Sequence, residues 1–264
     1  MPIALTEDQI ALAQTVGRFA DRHCARELAR KNAEKFKAGE RPDHWSALVS
    51  LGLHATHLPE CFGGQGGSVE DAAVVIAEAG RCLIPGPLLP TVIASTVTCA
   101  APRDDVARGV LEQFGQGATG TFINPACGVT FTSENGDYRL NGSTDLVLGA
   151  ASADLLLIGA RQAGSDAEGE ACWFIVESST AGIEVNVREG VDLGRDLAGL
   201  HFRDVWVHQS NRLAHLYIDE AADIAVALMA AEAAGIIRWL SETAIEFVRG
   251  RTQFGLPIGA FQAV

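Results

Sequence analysis

Between about residues 119 and 213 the chain is a succession of short β-like runs with no helix-length segment between them. Tyr138-Arg-Leu-Asn141, Leu155-Leu-Leu-Ile158, Cys172-Trp-Phe-Ile-Val176, Ile183-Glu-Val-Asn-Val187 and Leu200-His-Phe-Arg-Asp-Val-Trp-Val207 are rich in β-branched, aromatic and aliphatic residues. Turn residues separate them, notably Asn135-Gly136 and Asn141-Gly142, dipeptides that tolerate positive φ. Parallel strands need long crossovers, usually helices. The pattern therefore predicts an antiparallel, barrel-like sheet and excludes a doubly wound α/β fold.

Helical patterns flank this zone. In residues 1–118, Thr6-Glu-Asp-Gln9 is a capping box, followed by Ile10, Ala13, Val16, Phe19 and Ala20 on one face. Asp43 is placed to cap a short helix through Trp45, Leu48 and Val49 that ends at Gly52. Ser68-Val-Glu-Asp71 is a second cap, opening a helix from Ala72 to Cys82. Pro85, Pro87 and Pro90 punctuate the next connection, and a helix is expected from Thr91 to Ala100. From about Tyr217 to Arg249 small residues recur at helical spacing (Ala221, Ala225, Ala231, Gly235, Ala244), which permits close helix–helix packing. The expected architecture is α+β multidomain: an N-terminal α-helical domain (1–118), a middle antiparallel β-barrel-like domain (119–213) and the start of a C-terminal helical bundle (214–264).

A net charge of −13 argues against nucleic acid as a partner, since phosphates require a basic face. It equally disfavours an anionic membrane surface. Cys24, Cys61, Cys82, Cys99, Cys127 and Cys172 are scattered, with no Cys-x-x-Cys pair, so neither a zinc site nor a disulfide framework is expected. Free thiols fit a reducing cytoplasm. The N-terminus does not read as a signal peptide, and no apolar run reaches the roughly 18 residues of a membrane span.

The C-terminal stretch Arg251-Thr-Gln-Phe-Gly-Leu-Pro-Ile-Gly-Ala-Phe-Gln-Ala-Val264 places an arginine, a glutamine and an aromatic ring on a helical segment interrupted by Gly255 and Pro257. Val264 follows an apolar run with no cap or polar tail, so a further C-terminal part, or a partner in its place, is expected. This motif, taken with the order helices–β–helix, resembles the acyl-CoA dehydrogenase family. Three more segments resemble it in order and spacing: His57-Leu-Pro-Glu-Cys-Phe-Gly-Gly-Gln-Gly-Gly-Ser68, Gly136-Asp-Tyr-Arg-Leu-Asn-Gly142, and Leu200 through Val207.

The resemblance implies FAD bound at a subunit interface. Arg251 matches the arginine that reaches the pyrophosphate of a flavin held by a neighbouring subunit; a guanidinium stays charged and forks to phosphate oxygens. Phe254 matches an aromatic that packs on the cofactor, and Gln253 and Gln262 match polar cofactor contacts. Acyl-CoA is then the implied substrate and electron-transfer flavoprotein the implied acceptor.

Three departures matter. The family's T-E-P-G-x-G-S-D stretch is absent from Gly120-Thr-Phe-Ile-Asn-Pro-Ala-Cys-Gly-Val129. Its W-I-(S/T) segment corresponds to Asp145-Leu-Val-Leu148, without indole or hydroxyl. One position used for the catalytic glutamate corresponds to Ala225, and the neighbouring arginine position to Val226. Oxidising a thioester needs a carboxylate to take the α proton and a flavin to accept hydride. No catalytic residue is therefore assigned. The resemblance is to the divergent half of a two-type assembly, a homo- or hetero-oligomer with a catalytic acyl-CoA dehydrogenase chain, as in bacterial breakdown of steroid side chains. Alternatives are a non-enzymatic structural partner, or a related acyl-CoA oxidase or flavin monooxygenase.

Other residues read as structural. Gly63-Gly-Gln-Gly-Gly67 follows Pro59-Glu60 with no strand and no Lys-Ser/Thr, which makes a turn of it instead of a phosphate loop. His54 and His57 lack a ligand cluster. Glu232, Glu242 and Glu246 are expected to be solvated on an amphipathic helix.

Overall fold

The computed structural model describes residues 4–23, 25–101, 105–165, 171–213, 216 and 218–261. The N-terminal helices are α1 (Glu7–Arg22), α2 (Ala25–Lys31), α3 (Ala33–Lys37), α4 (Trp45–Ser50), α5 (Val69–Cys82), α6 (Leu88–Ala100) and α7 (Asp105–Gly115). The capping boxes at Thr6 and Ser68 both form, with Gln9 and Asp71 returning the bond. Asp43 does not cap α4: His44 holds that position without a side-chain bond. α6 begins at Leu88, not Thr91, because Pro90 falls in its first turn, where a missing N–H costs no helical bond.

The strands are β1 (Gly120–Ile123), β2 (Val129–Glu134), β3 (Asp137–Ser143), β4 (Val147–Leu148), β5 (Leu155–Gln162), β6 (Ala171–Glu177), β7 (Ile183–Arg188), β8 (Leu197–Val207) and β9 (Arg212–Leu213). They form one sheet in the order β4-β8-β3-β2-β5-β6-β9, with β1 added beside β5 and β7 beside β8. The antiparallel expectation needs correction here, because β5 pairs in parallel with both β1 and β2. The crossovers run through β2–β3 and β4, so no helix was needed to reverse the chain. Asn135 and Gly136, both at positive φ, turn β2 into β3. Asn141-Gly142 is instead an irregularity inside β3, where the register against β8 shifts.

β5 explains how the layers join. Leu155 and Leu157 face a core shared with the helices, whereas Leu156 and Ile158 face the core within the β layer. Alternation of side chains along a strand makes this two-sided burial read as a continuous apolar run. Trp173 and Ile175 of β6 also join the helical core, and Phe174 and Val176 the other.

The last helix, α8 (Ile218–Gly250), is followed by a hairpin of β10 (Thr252–Gln253) and β11 (Leu256–Pro257). Ala221, Ala225 and Leu228 are buried in the helical core. α8 meets α5 at two glycines: a Cβ on Gly235 would lie 1.8 Å from the Ala77 carbonyl oxygen, and one on Gly80 2.6 Å from that of Glu232. The backbones therefore touch. On the side away from α5, Val226, Met229, Ile237, Leu240 and Phe247 are exposed at helical spacing. By length and composition, Asp219–Gly250 is apolar enough to cross a membrane. A search for unbroken apolar runs misses it because Glu232 and Arg238 interrupt the pattern.

Replacing Gly235 with Ala forces α8 off α5. We expect a loss of about 1–3 kcal/mol, the range for overpacking a tight contact, read as a lower midpoint in urea unfolding, with Ala234→Ser as the tolerated control.

Candidate functional site

Two surfaces carry the residues singled out by sequence, one on the β layer and one at the end of α8. The first is a face of the β layer. Thr121 of β1 is buried and its Oγ1 donates to the Leu148 carbonyl at 2.7 Å, tying β1 to β4. β4 is also held against β8, with Leu148 opposite Leu197. Val147 points inward and Leu146 outward, 60% exposed. Phe122 stacks on Trp173 at 5.3 Å between ring centroids. The next turn is a 3-10 helix (Pro125–Cys127), whose Asn124 Oδ1 accepts from the Ala126 amide. At positions 146–148 this face offers leucine and valine side chains, with no hydroxyl or indole donor. These residues do not suit the polar edge of a flavin ring.

The second surface is the hairpin. Arg251, Gln253 and Phe254 do not lie on a helix: α8 ends at Gly250, and the chain turns at Phe254-Gly255, both at positive φ. Gly255 makes that turn possible and Pro257 lies in β11, which is why a broken helical pattern was a hairpin pattern. The Arg251 guanidinium sits 5.6 Å above the Phe247 ring and its carbonyl accepts from the Ile258 amide. The Gln253 amide nitrogen donates to the Thr252 carbonyl. Phe254 is 94% exposed and meets Phe261 edge-on at 6.5 Å. Gln262 lies outside the described residues. An exposed guanidinium beside exposed aromatic rings can hold phosphate oxygens.

The separation is set by a clamp. Arg195, two residues before β8, donates to both carboxylate oxygens of Glu232 (3.1 and 2.8 Å) and lies 3.0 Å from Asp192. Burial works against the Arg195 charge, and the carboxylates of Glu232 and Asp192 more than offset it, raising its pKa. Glu232 is thus an ion-pair partner and not the solvated residue expected. Glu242 does remain half exposed, bridging Arg81 and Arg238. From Glu232 to Gly250 α8 rises about 27 Å at 1.5 Å per residue, several times the reach of an arginine side chain. Ala225 is buried in the first part of the helix, and Val226 beside it is exposed.

The glycine loop is a turn. Amides of Gln65, Gly66 and Gly67 donate to carbonyls of Ala55, Leu58 and Thr56, so they are not free for phosphate. His54 Nε2 bonds the Phe114 carbonyl at 2.9 Å, and His57 Nε2 lies 3.0 Å from Ser95 Oγ. Both rings join the loop to neighbouring helices. Sequence spacing gave no sign of these two bonds, because their partners are 60 and 38 residues away.

Burial pushes His57 down to about 4 from 6.5, with nearby His54 adding to it. The unfolded chain therefore binds more protons between those values. Stability is full above about pH 6.5 and falls as pH drops towards 4. A shift of this size corresponds to about 3 kcal/mol. We expect the pH dependence of the unfolding free energy between pH 7 and 4 to flatten by roughly that amount in His57→Gln, measured by denaturant titration; an unchanged slope contradicts the buried neutral imidazole.

Comparison with known proteins places this arrangement. The acyl-CoA dehydrogenase N-terminal domain profile matches residues 6–103. Acyl-CoA dehydrogenase IpdE2 of Mycobacterium tuberculosis is 31% identical over 98% of this chain and 69% of its own length. Acyl-CoA dehydrogenase FadE34 of the same organism is 30% identical over the whole chain, which spans only 35% of that relative. The fold matches the ChsE4-ChsE5 complex from Mycobacterium tuberculosis (TM-score 0.86, 23% identity, 100% of this chain and 72% of that one). It also matches butyryl-CoA dehydrogenase from Megasphaera elsdenii (TM-score 0.83, 22% identity, 100% and 74%). The chain belongs to the acyl-CoA dehydrogenase family.

Proposed function

We propose that this chain takes part in α,β-dehydrogenation of acyl-CoA thioesters as the half of an assembly that completes an FAD site shared with a catalytic acyl-CoA dehydrogenase chain. The observation that carries this reading is the position of Arg251. The Arg195–Glu232 pair ties α8 to the loop before β8, and the helix rises about 27 Å beyond Glu232 before it ends at Gly250, beside an exposed Arg251. A phosphate met there belongs to a cofactor seated on another chain. Arg251 would grip the pyrophosphate, Phe254 would cover the cofactor against solvent and Gln253 would supply a polar contact. Bound FAD would supply the hydride acceptor.

The same chain offers Ala225 and Val226 where a base and its neighbouring arginine are looked for, and Leu146 and Leu148 where an indole and a hydroxyl are. This favours a partner as the source of the carboxylate that takes the α proton. The exposed apolar side of α8 suits cover by further helices. Kinship with IpdE2 and a fold shared with one chain type of a two-component complex support the reading. Electron-transfer flavoprotein is the acceptor we assign.

The test is the visible spectrum of the purified chain, alone and with its partner. The lone chain should be colourless and the complex yellow. Arg251→Ala should weaken flavin retention by about 10- to 100-fold, the loss of a charge-assisted fork worth about 1.5–3 kcal/mol. Flavin at near one per chain in the lone protein sinks the proposal.

A further inference from the structure

β7 has β8 as its single partner strand among the described residues, so its other side is a free edge. The ladder decides which groups face that edge. The Arg203 amide donates to the Gly182 carbonyl at 2.9 Å, one step beyond the pairing of Ile183 with Phe202. Antiparallel pairs alternate between bonded and non-bonded, so Glu184, Asn186 and Arg188 turn their backbone groups towards β8. Val185 and Val187 turn theirs outward. The strand has no proline and no register shift, two of the devices that blunt an edge. Its side chains are also unfinished on one face. Val185 and Val187 stand beside Leu200 and Ala198, which are fully buried in the β core, yet they remain 37% and 47% exposed. Glu184 and Arg188 lie exposed on the opposite face. Glu184 meets Arg203 at 3.0 Å, a solvent-exposed pair of small worth, and Arg188 has no ion-pair partner among the described residues.

We infer that β7 pairs with β7 of a second copy of this chain, antiparallel, about a two-fold axis at Asn186. Backbone parity limits the registers, because an outward-facing residue can exchange bonds only with another outward-facing residue. Setting Val185 against Val187 of the second copy satisfies this and places Glu184 opposite Arg188 on both sides of the axis. Setting Val185 against Val185, or Val187 against Val187, leaves each of those charges opposite Asn186 or a glycine. Opposite charges directly across a strand pair stabilise it, and like charges destabilise it. The edge is therefore self-complementary in one register, as a two-fold contact requires, while its charges oppose a strand of another sequence. The same pairing covers both valines and joins two β layers into one sheet. No residue of β7 takes part in the flavin site proposed above, so the two readings stand or fall separately.

Sedimentation equilibrium of the purified protein tests it. We expect a reversible doubling of the particle mass as concentration rises. Glu184→Arg sets arginine against arginine and Arg188→Glu sets glutamate against glutamate, so each variant alone should self-associate about tenfold more weakly or worse. Mixing the two variants restores both complementary pairs and should restore the doubled mass, which no folding defect in either could do. Association through α8 would not respond to these charges, and Arg251→Ala should leave the β7 association unchanged. The register has its own check. Asn186→Cys stands opposite its own copy in a non-bonded pair, about 4.5 Å between Cα atoms and within the span of a disulfide, so diamide should cross-link it. Glu184→Cys faces position 188 instead and should cross-link no more than the unsubstituted protein. A mass that does not change with concentration, association unaltered by both charge variants, or equal cross-linking at 184 and 186 overturns the inference.

Discussion

Everything distal in this protein depends on how α8 is seated. Two glycines, Gly80 and Gly235, let its backbone touch α5, and the Arg195–Glu232 fork ties it to the β layer. The first contact sets distance and the second sets direction. A buried ion pair with one partner removed is strongly destabilising, whereas an intact one adds mainly specificity of geometry. Here both contacts fall within one turn of α8, at Glu232 and Gly235, and seat that turn against α5 and the loop before β8.

The long helix gives the molecule its functional asymmetry. Its β face carries leucine and valine at positions 146–148, and its far end carries an exposed arginine and the exposed ring of Phe254. In the assembly we propose, another chain lies against α8 and covers the exposed stripe from Val226 to Phe247 and the hairpin beyond it. Family membership supplies the chemistry such an assembly performs, and the residues at 146, 148 and 225 bear on which part this chain plays in it.

Much of the fold was legible in sequence where local rules govern. Both capping boxes, the Asn135-Gly136 hairpin and most strands follow from side-chain chemistry within a few residues. What was missed is non-local. The parallel pairing of β5 with β1 and β2 cannot be read from the strands themselves, because β5, buried on both faces, shows no alternation. Asp43 falls one residue short of the cap position of α4, which His44 holds. The C-terminal motif reads as a broken helix but is a hairpin: Phe254-Gly255 is a turn, and Pro257 sits in a strand. Glu232 looked solvated because its partner is 37 residues upstream. The bonds of His54 and His57 were hidden for the same reason.

The central claim is that Arg251 serves a cofactor seated on another chain. A structure of the FAD-bound assembly at a resolution that shows the pyrophosphate tests it most directly. The account predicts the Arg251 guanidinium within hydrogen-bond distance of phosphate oxygens of an FAD whose ring rests on a neighbouring chain's β layer. An FAD whose ring and pyrophosphate are both held by one copy of this chain, or an Arg251 that touches no phosphate, would contradict it.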